Sequence, residues 1–182
     1  MARAVTDPAP WRRLEPWPRT GAGERRIVLE ADASVRERVA AWLGVESVER
    51  LTLDVVLRPW LDGMRIVGDL DAAVGRVCGV SLDLYQEEVR EHLDLRLTPP
   101  GSPNLPDDSV GEVLVEMDAE DPPEAGEVEG ADLGALALEA LSLALPPFAR
   151  KPGAAFEAPL AEADSSPFAA LASLVKRPSD ER

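Results

Sequence analysis

The sequence predicts an α+β fold: a curved antiparallel sheet that forms a meander, with helices on one of its faces. Three observations lead to this prediction. Apolar and polar residues alternate in three segments between residues 51 and 97, which is the period of strands that bury one face. Helical apolar patterns stand before and after these segments, at residues 32–44 and 132–145. Proline-rich stretches toward both ends predict flexible N- and C-terminal arms.

The core is expected to begin with a short strand and a capping helix. The stretch "RRIVLEA" (25–31) predicts the strand. "DASVRERVAAWLG" predicts the helix, because Asp32 or Ser34 can cap its start and Gly44 stands where a C-cap glycine belongs. The apolar face of this helix consists of Val35, Val39, Trp42 and Leu43.

Three alternating segments then predict the meander. Their apolar positions are Leu51, Leu53, Val55 and Leu57, then Met64, Ile66, Leu70, Ala72 and Val74, then Val89, Leu93, Leu95 and Leu97. Asp62-Gly63 predicts a hairpin turn between the first two strands. The alternate positions of the third strand are Glu88, Arg90, His92, Asp94 and Arg96. One face of the sheet is therefore expected to be buried and the other solvated.

The stretch "DLGALALEALSLALPP" is the strongest helix signal in the chain. Asp132 can cap its first turn, and Pro146 stops it. Because the segment is apolar on nearly all sides, we expect it to be buried across the apolar face of the sheet. The proline-rich, acidic region before it is expected to contain a strand at 111–117 and a short edge strand at 127–129.

This pattern divides the chain into four parts. Residues 1–24 form a flexible arm rich in Pro, Arg and Trp, and residues 25–150 form the α+β core. Residues 151–166 are a linker, and residues 167–177 are a short amphipathic segment. So short a helix is unstable alone in water, so it needs a surface. That surface is either the protein's own sheet or, as we favour, a partner.

Charge is distributed unevenly along the chain. The formal net charge is −15, and residues 27–147 contain 26 acidic residues against eight arginines. Such a centre repels nucleic-acid phosphates, and it either solvates the protein or suits a basic partner. Residues 1–26 instead carry six arginines against three acids. The candidate RNA contacts in this arm are Trp11, Arg12, Arg13 and Arg19. Alternatively, the tryptophans pin the arm to its own domain.

The sequence offers little for catalysis or for cofactors. It has no phosphate-binding glycine motif, one histidine and one cysteine. His92 lies in the polar series of a strand, so we expect it to face solvent. Cys78 and Ser81 occupy a C-x-x-C spacing with one cysteine missing, which cannot complete a tetrahedral zinc site. We therefore interpret Cys78 as a small buried residue at the end of a strand. We therefore expect no enzyme activity, no metal and no cofactor. We also expect no membrane span, because the longest apolar stretch is too short, and a cytoplasmic location.

Several stretches together resemble the YceD family, the bacterial large ribosomal RNA subunit accumulation proteins. These stretches are "EADASVRERVAAWLGVESVERLTLDV", "VGDLDAAVGRVCGVSLDLY", "ADLGALALEALSLALPPFARKPGAAF" and "SPFAALASLVK", in that order. The resemblance covers residues 25–177. It implies a role in the synthesis, processing or stability of 23S rRNA and in assembly of the large ribosomal subunit, and it implies no enzyme class.

The resemblance also implies a set of signature residues. These are Cys78, Leu82 and Asp83 in a knuckle turn, Asp132, Glu139 and Pro146 in the long helix, and Pro167, Phe168 and Leu174 in the terminal segment. Many members carry C-x-x-C where this chain has Cys78 and Ser81. This chain also has no cysteine after the long helix. The departure argues that zinc is not needed here.

Two functions follow from these expectations. In the first, an assembly factor acts through its acidic centre on a basic protein, either a ribosomal protein or another assembly factor. In the second, the basic arm binds 23S rRNA directly and weakly. The sequence does not define the oligomeric state.

Overall fold

The computed structural model describes residues 9–106 and 121–156. The elements are β1 (Leu14–Pro16), β2 (Arg25–Glu30), α1 (Ala33–Leu43), β3 (Ser47–Trp60), β4 (Gly63–Val77), β5 (Leu84–Thr98), β6 (Glu124–Ala125), β7 (Gly130–Asp132) and α2 (Leu133–Ala144). The main sheet has the order β2-β3-β4-β5-β6, antiparallel except for β6, which runs parallel to β5. A second sheet pairs β1 with β7. The α+β class and the β3–β4–β5 meander are therefore confirmed.

The alternation predicted for the sheet is also confirmed. The buried positions include Leu51, Leu53 and Val55 on β3, Ile66, Leu70 and Val74 on β4, and Leu93 and Leu97 on β5. Polar positions of the opposite face pair across the strands, as Arg26 does with Asp54 and Arg90 with Asp71. His92 lies on this face, as expected, with its Nδ1 2.8 Å from Asp69 Oδ1. Such cross-strand pairs help to fix the register of a sheet.

The first hairpin turn lies one residue earlier than predicted. Trp60 pairs with Gly63, so the two loop residues are Leu61 and Asp62, and Leu61 has a φ of 50°. Gly63 is required as the first residue of β4, because a Cβ there would lie 1.9 Å from the backbone oxygen of Leu97. The glycine thus serves the close approach of β4 to β5 rather than the turn.

Helix α1 packs on β3 and has the predicted caps. The Asp32 carboxylate accepts a hydrogen bond from the Val35 N–H at 2.9 Å, and Gly44 ends the helix with a φ of 70°. Val39 is fully buried, but Trp42 is 40% exposed. The expected apolar face is therefore only partly covered by the sheet.

Helix α2 lies on β4 and β5 and also contacts β1. It starts at the Asp132 cap and ends at Ala144, two residues before Pro146. Its inner side is buried through Leu133, Ala137, Leu138 and Leu141. The expectation that the whole helix is buried is wrong for Leu143, which is 81% exposed. A helix on one face of a single sheet keeps its outer side in solvent.

The described part of the N-terminal arm contains the strand β1, so the prediction of a flexible arm over residues 1–24 is wrong for residues 14–16. Trp11 is buried, and Leu14, Glu15 and Pro16 pair with Asp132, Ala131 and Gly130. Proline is tolerated because β1 has a neighbour on one side only. The packed unit therefore begins before residue 25.

Several predicted features lie outside the described residues. They are the strand at 111–117, most of the linker, and the terminal segment with Pro167, Phe168 and Leu174. The edge strand expected at 127–129 is replaced by β6 and β7 on either side of it. No helix in the described part of the chain is long and apolar enough to cross a membrane.

Candidate functional site

A groove of about 540 Å³ runs between the outer side of α2 and β5, and we call it the α2–β5 groove. Its apolar lining consists of Leu93, Leu95, Leu136, Ala140, Leu143 and Ala144. Leu143 is the most exposed of these side chains and forms a wall. A single exposed leucine is ordinary on a monomer, but an apolar patch rimmed by polar residues is typical of an interaction surface.

Acidic residues surround this apolar lining. They are Glu91, Asp94, Asp121, Glu124 and Glu139, and no lysine or arginine of the described chain lines the groove. Arg65 pairs with Asp94 and lowers the pKa of that carboxyl group. The carboxylates of Glu91, Glu124 and Glu139 form no ion pair within residues 9–106 and 121–156. The groove thus combines an apolar floor with an acidic rim, in which three of the five carboxylates form no ion pair within the described ranges.

A second, smaller groove lies on the other side of the exposed face of α2. It has a volume of about 290 Å³ and is lined by Ala9, Trp42, Ala135, Leu138, Glu139, Ser142 and Leu143. Leu143 and Glu139 line both grooves, so they form a ridge between them. The partly exposed Trp42 of α1 therefore belongs to the same surface as Leu143.

The knuckle residues implied by the family resemblance lie in the tight turn between β4 and β5. The sulfur of Cys78 accepts hydrogen bonds from the N–H groups of Val80 and Ser81, both at 3.4 Å. Leu82 has a φ of 61°, and its N–H donates to the Cys78 carbonyl at 2.9 Å. Cys78 itself is fully buried. This agrees with the interpretation of Cys78 as a small buried residue at a strand end.

The segment that follows α2 is fastened to this turn. The Lys151 N–H donates to Cys78 Sγ at 3.3 Å, and its ammonium group lies 3.1 Å from Asp83 Oδ2. The Gly79 N–H donates to the Ala149 carbonyl at 2.8 Å. Sequence reasoning missed Lys151, because contacts between residues 68 or more positions apart leave no local signal.

Hydrogen bonding stabilises the thiolate form of Cys78. The Ser81 hydroxyl contributes most, followed by the N–H groups of Ser81 and Lys151, and together these lower the pKa of Cys78 to about 6. No three His, Cys, Asp or Glu side chains in the described chain are placed to hold a metal ion. The geometry therefore supports a structural role, in which a buried sulfur accepts backbone hydrogen bonds.

A catalytic pairing of Cys78 with His92 is excluded by distance. His92 is opposite Asp69 on β4, and Cys78 follows the end of the same strand nine residues later. At about 3.3 Å per residue this separates them by roughly 30 Å along the strand. Neither residue can activate the other.

The other signature residues have separate positions. Asp132 caps α2, Glu139 stands on the rim of the α2–β5 groove, and the Pro146 carbonyl accepts a hydrogen bond from Arg76 at 2.7 Å. Arg76 also pairs with Glu87 on β5 at 2.7 Å. This arginine joins the end of α2 to the sheet.

The predicted RNA contacts of the arm are not brought together. Trp11 is only 7% exposed, so it cannot stack on a base. Arg12 pairs with Glu127 at 2.7 Å, and Arg13 pairs with Glu15 at 3.2 Å. Arg19 lies apart from them at the wall of a separate cavity. The structure therefore supports the alternative reading, in which a tryptophan pins the arm to its own domain.

The described residues thus contain a groove with an apolar floor and an acidic rim, and a tight turn with a buried cysteine. None of the predicted site residues forms a catalytic arrangement with another in the described chain. Comparison with protein-family models, with curated proteins and with solved structures finds no match to this chain.

Proposed function

We propose that this protein is a non-enzymatic factor that supports 23S rRNA synthesis, processing or stability during assembly of the large ribosomal subunit. It acts in the cytoplasm by binding a basic protein, either a ribosomal protein or another assembly factor. The observation that carries the binding part is the acidic rim around the apolar floor of the α2–β5 groove. The ribosomal part is supported by the resemblance of the sequence to the YceD family.

The composition of the groove suits a basic amphipathic segment. Apolar side chains of the partner would cover Leu136, Ala140 and Leu143, which supplies affinity through burial of apolar surface. Lysines or arginines beside them would face Glu91, Glu124 and Glu139, which raises the association rate and the selectivity for basic partners. A protein that binds rRNA neutralises phosphates with lysine and arginine, so a ribosomal protein has the charge that this acidic rim favours.

Direct binding of rRNA through Trp11, Arg12 and Arg13 is the weaker candidate. Each of the two arginines already has a carboxylate partner, and the tryptophan is buried. Binding RNA there would require these ion pairs to be exchanged for contacts with phosphates, which lowers the net gain from each contact.

Site-specific crosslinking in cells of the source organism tests the proposal. A photoreactive amino acid replaces Leu143 in the groove, and a matched control replaces Arg90, which is exposed on the opposite face of the sheet. We expect the groove position, and not the control, to capture a basic protein of the large subunit or of its assembly. Capture must survive RNase and must be lost when Glu91 and Glu139 are both changed to Lys.

Each contrary result has a separate meaning. Capture of a basic protein unrelated to the ribosome would contradict the ribosomal role, although it would still support the groove as the binding site. Crosslinks to rRNA, or the same partner at both positions, would contradict the groove as the binding site. An unchanged melting temperature of the Glu91→Lys, Glu139→Lys chain shows that any loss is not a folding defect.

A further inference from the structure

A further cavity, separate from the two grooves beside α2, lies between the N-terminal arm and the end of the β3–β4 hairpin. It has a volume of about 280 Å³ and is open to solvent. Its lining consists of Pro16, Trp17, Pro18, Arg19, Ala22, Gly23, Arg25, Leu57, Arg58, Pro59 and Met64. The residues that line it are thus apolar or basic, and none is acidic. This is unusual on a molecule with 34 acidic residues against 19 basic ones.

The aromatic wall of this cavity is held in a fixed orientation. The Trp17 indole N–H donates to the Val128 carbonyl at 3.2 Å. The edge of the ring lies against Gly126, where a Cβ would come within 2.7 Å of the ring atom Cη2. The connection between β6 and β7 therefore positions Trp17, and the prolines beside it stiffen the wall.

A buried carboxylate organises part of the basic wall. The Glu15 side chain is only 6% exposed, and it accepts from Arg25 at 2.9 Å and from Arg13 at 3.2 Å. A buried carboxylate is costly unless it is paired, and here both partners are arginines. Glu15 is thus a positioning residue that holds the Arg25 guanidinium at the wall of the cavity.

The cavity region has a surplus of positive charge. Arg58 is paired with Glu24 at 3.1 Å, and Arg13 and Arg25 share the single carboxylate of Glu15. The guanidinium of Arg19 forms no hydrogen bond or ion pair with another residue of the described ranges. Three guanidinium groups line the cavity, those of Arg19, Arg25 and Arg58, and two of them are paired with Glu15 and Glu24. The remaining positive charge of Arg19 favours an anionic ligand.

We propose that this cavity binds one nucleoside phosphate unit, presented by single-stranded RNA. The volume fits one base against Trp17, and stacking on an aromatic ring is sequence-tolerant. Arg19 and Arg58 would hold the phosphate through charge-assisted hydrogen bonds. The open side lets a strand enter and leave, whereas a free nucleotide would have few groups to retain it. The inference shares only Arg19 with the RNA contacts predicted from the sequence, places the contact in a different site, and does not depend on the α2–β5 groove.

Fluorescence anisotropy of a labelled hexaribonucleotide with the full chain tests this site. At low salt, we expect saturable binding that Arg19→Gln weakens roughly fivefold to tenfold, since one charge-assisted contact to phosphate is lost. The matched control is Arg90→Gln, which makes the same charge change on the outer face of the sheet. The control should change the affinity less than about twofold.

Competition experiments with AMP and with duplex RNA distinguish single-stranded RNA from a free nucleotide and from a duplex as the ligand. Displacement of the hexamer by AMP at equal concentration would overturn the assignment to a strand and leave a free nucleotide as the ligand. Equal binding of duplex RNA would overturn the stacking on Trp17. Absence of hexamer binding at low salt, or equal losses in Arg19→Gln and Arg90→Gln, would overturn the site altogether.

Discussion

The Cys78 sulfur shows how one residue can be fixed by backbone geometry without a metal. Three N–H groups, those of Val80, Ser81 and Lys151, donate to it from two separate segments of the chain. The sequence predicted a small buried residue at this strand end. It could not predict that Lys151 closes the arrangement, because the partner comes from the segment after α2.

The first prediction concerns the pH dependence that this thiol contributes. The unfolded chain keeps the thiol protonated up to about pH 9, while the folded chain releases the proton above about pH 6. Stability from this group is therefore fully present above about pH 9 and is lost as the pH falls toward 6. We expect the difference in unfolding free energy between the natural chain and Cys78→Ala to grow from about pH 6 to about pH 9, measured by urea unfolding.

The Ser81 hydroxyl supplies the control for this prediction. It is the largest cause of the lowered pKa, so Ser81→Ala should raise the pKa of Cys78 toward its ordinary value. The ultraviolet absorbance of the thiolate reports it directly, because the chain has one cysteine. A difference between natural chain and Cys78→Ala that stays constant with pH would show that the sulfur is not a thiolate.

At the scale of the elements, the first turn of α2 and the arm are joined by three hydrogen bonds to a single carboxylate oxygen. Asp132 Oδ1 accepts from the N–H groups of Arg13, Gly134 and Ala135 at 2.9, 3.1 and 3.2 Å. It therefore caps the helix and holds the arm with the same oxygen. The cap was predicted from sequence, whereas the contact with the arm was not.

The second prediction separates these hydrogen bonds from the charge of the aspartate. Asp132→Ala removes all three acceptor contacts and should lower the free energy of unfolding by about 2 kcal/mol or more. Asp132→Asn keeps a similar acceptor oxygen and loses only the pairing with Arg12 at 3.5 Å. It should therefore cost less than about 1 kcal/mol, since Arg12 is largely exposed. Equal losses in chemical denaturation would mean that charge, not capping, sets the stability of this helix start.

How far the fold could be predicted depends on the range of the contacts. Strands β3 to β5 were predicted because a strand that buries one face has apolar residues at every second position, such as Leu51 and Leu53, and this pattern is local in the sequence. β1 was missed because Leu14 pairs with Asp132, more than a hundred residues away, and its prolines favour a loop. The α2–β5 groove could not be predicted for the same reason. Its acidic charge was visible, but its shape depends on where α2 lies on the sheet.

At the scale of the whole molecule, the described part of the arm packs against both helices and so belongs to the core domain. The Pro10 carbonyl accepts from Arg38 on α1 at 3.2 Å, and the Leu133 N–H on α2 donates to the Arg13 carbonyl at 2.8 Å. Trp11 fills the space between these contacts. The arm thus links both helices, and its ordered part also provides Trp17 and Arg19 for the proposed RNA site.

The last prediction tests this packing through Gly134 in the first turn of α2. In an isolated helix, glycine to alanine stabilises by about 1 kcal/mol. Here a Cβ at position 134 would lie 2.5 Å from the Trp11 carbonyl oxygen, and the neighbouring atoms are also backbone. We therefore expect Gly134→Ala to lower the free energy of unfolding by about 1–3 kcal/mol, because the arm must move away from the helix. Ser142→Ala, at an exposed position of the same helix, should instead stabilise slightly. If chemical denaturation finds both substitutions stabilising, the arm does not lie against α2, and the cavity beside Trp17 loses its support.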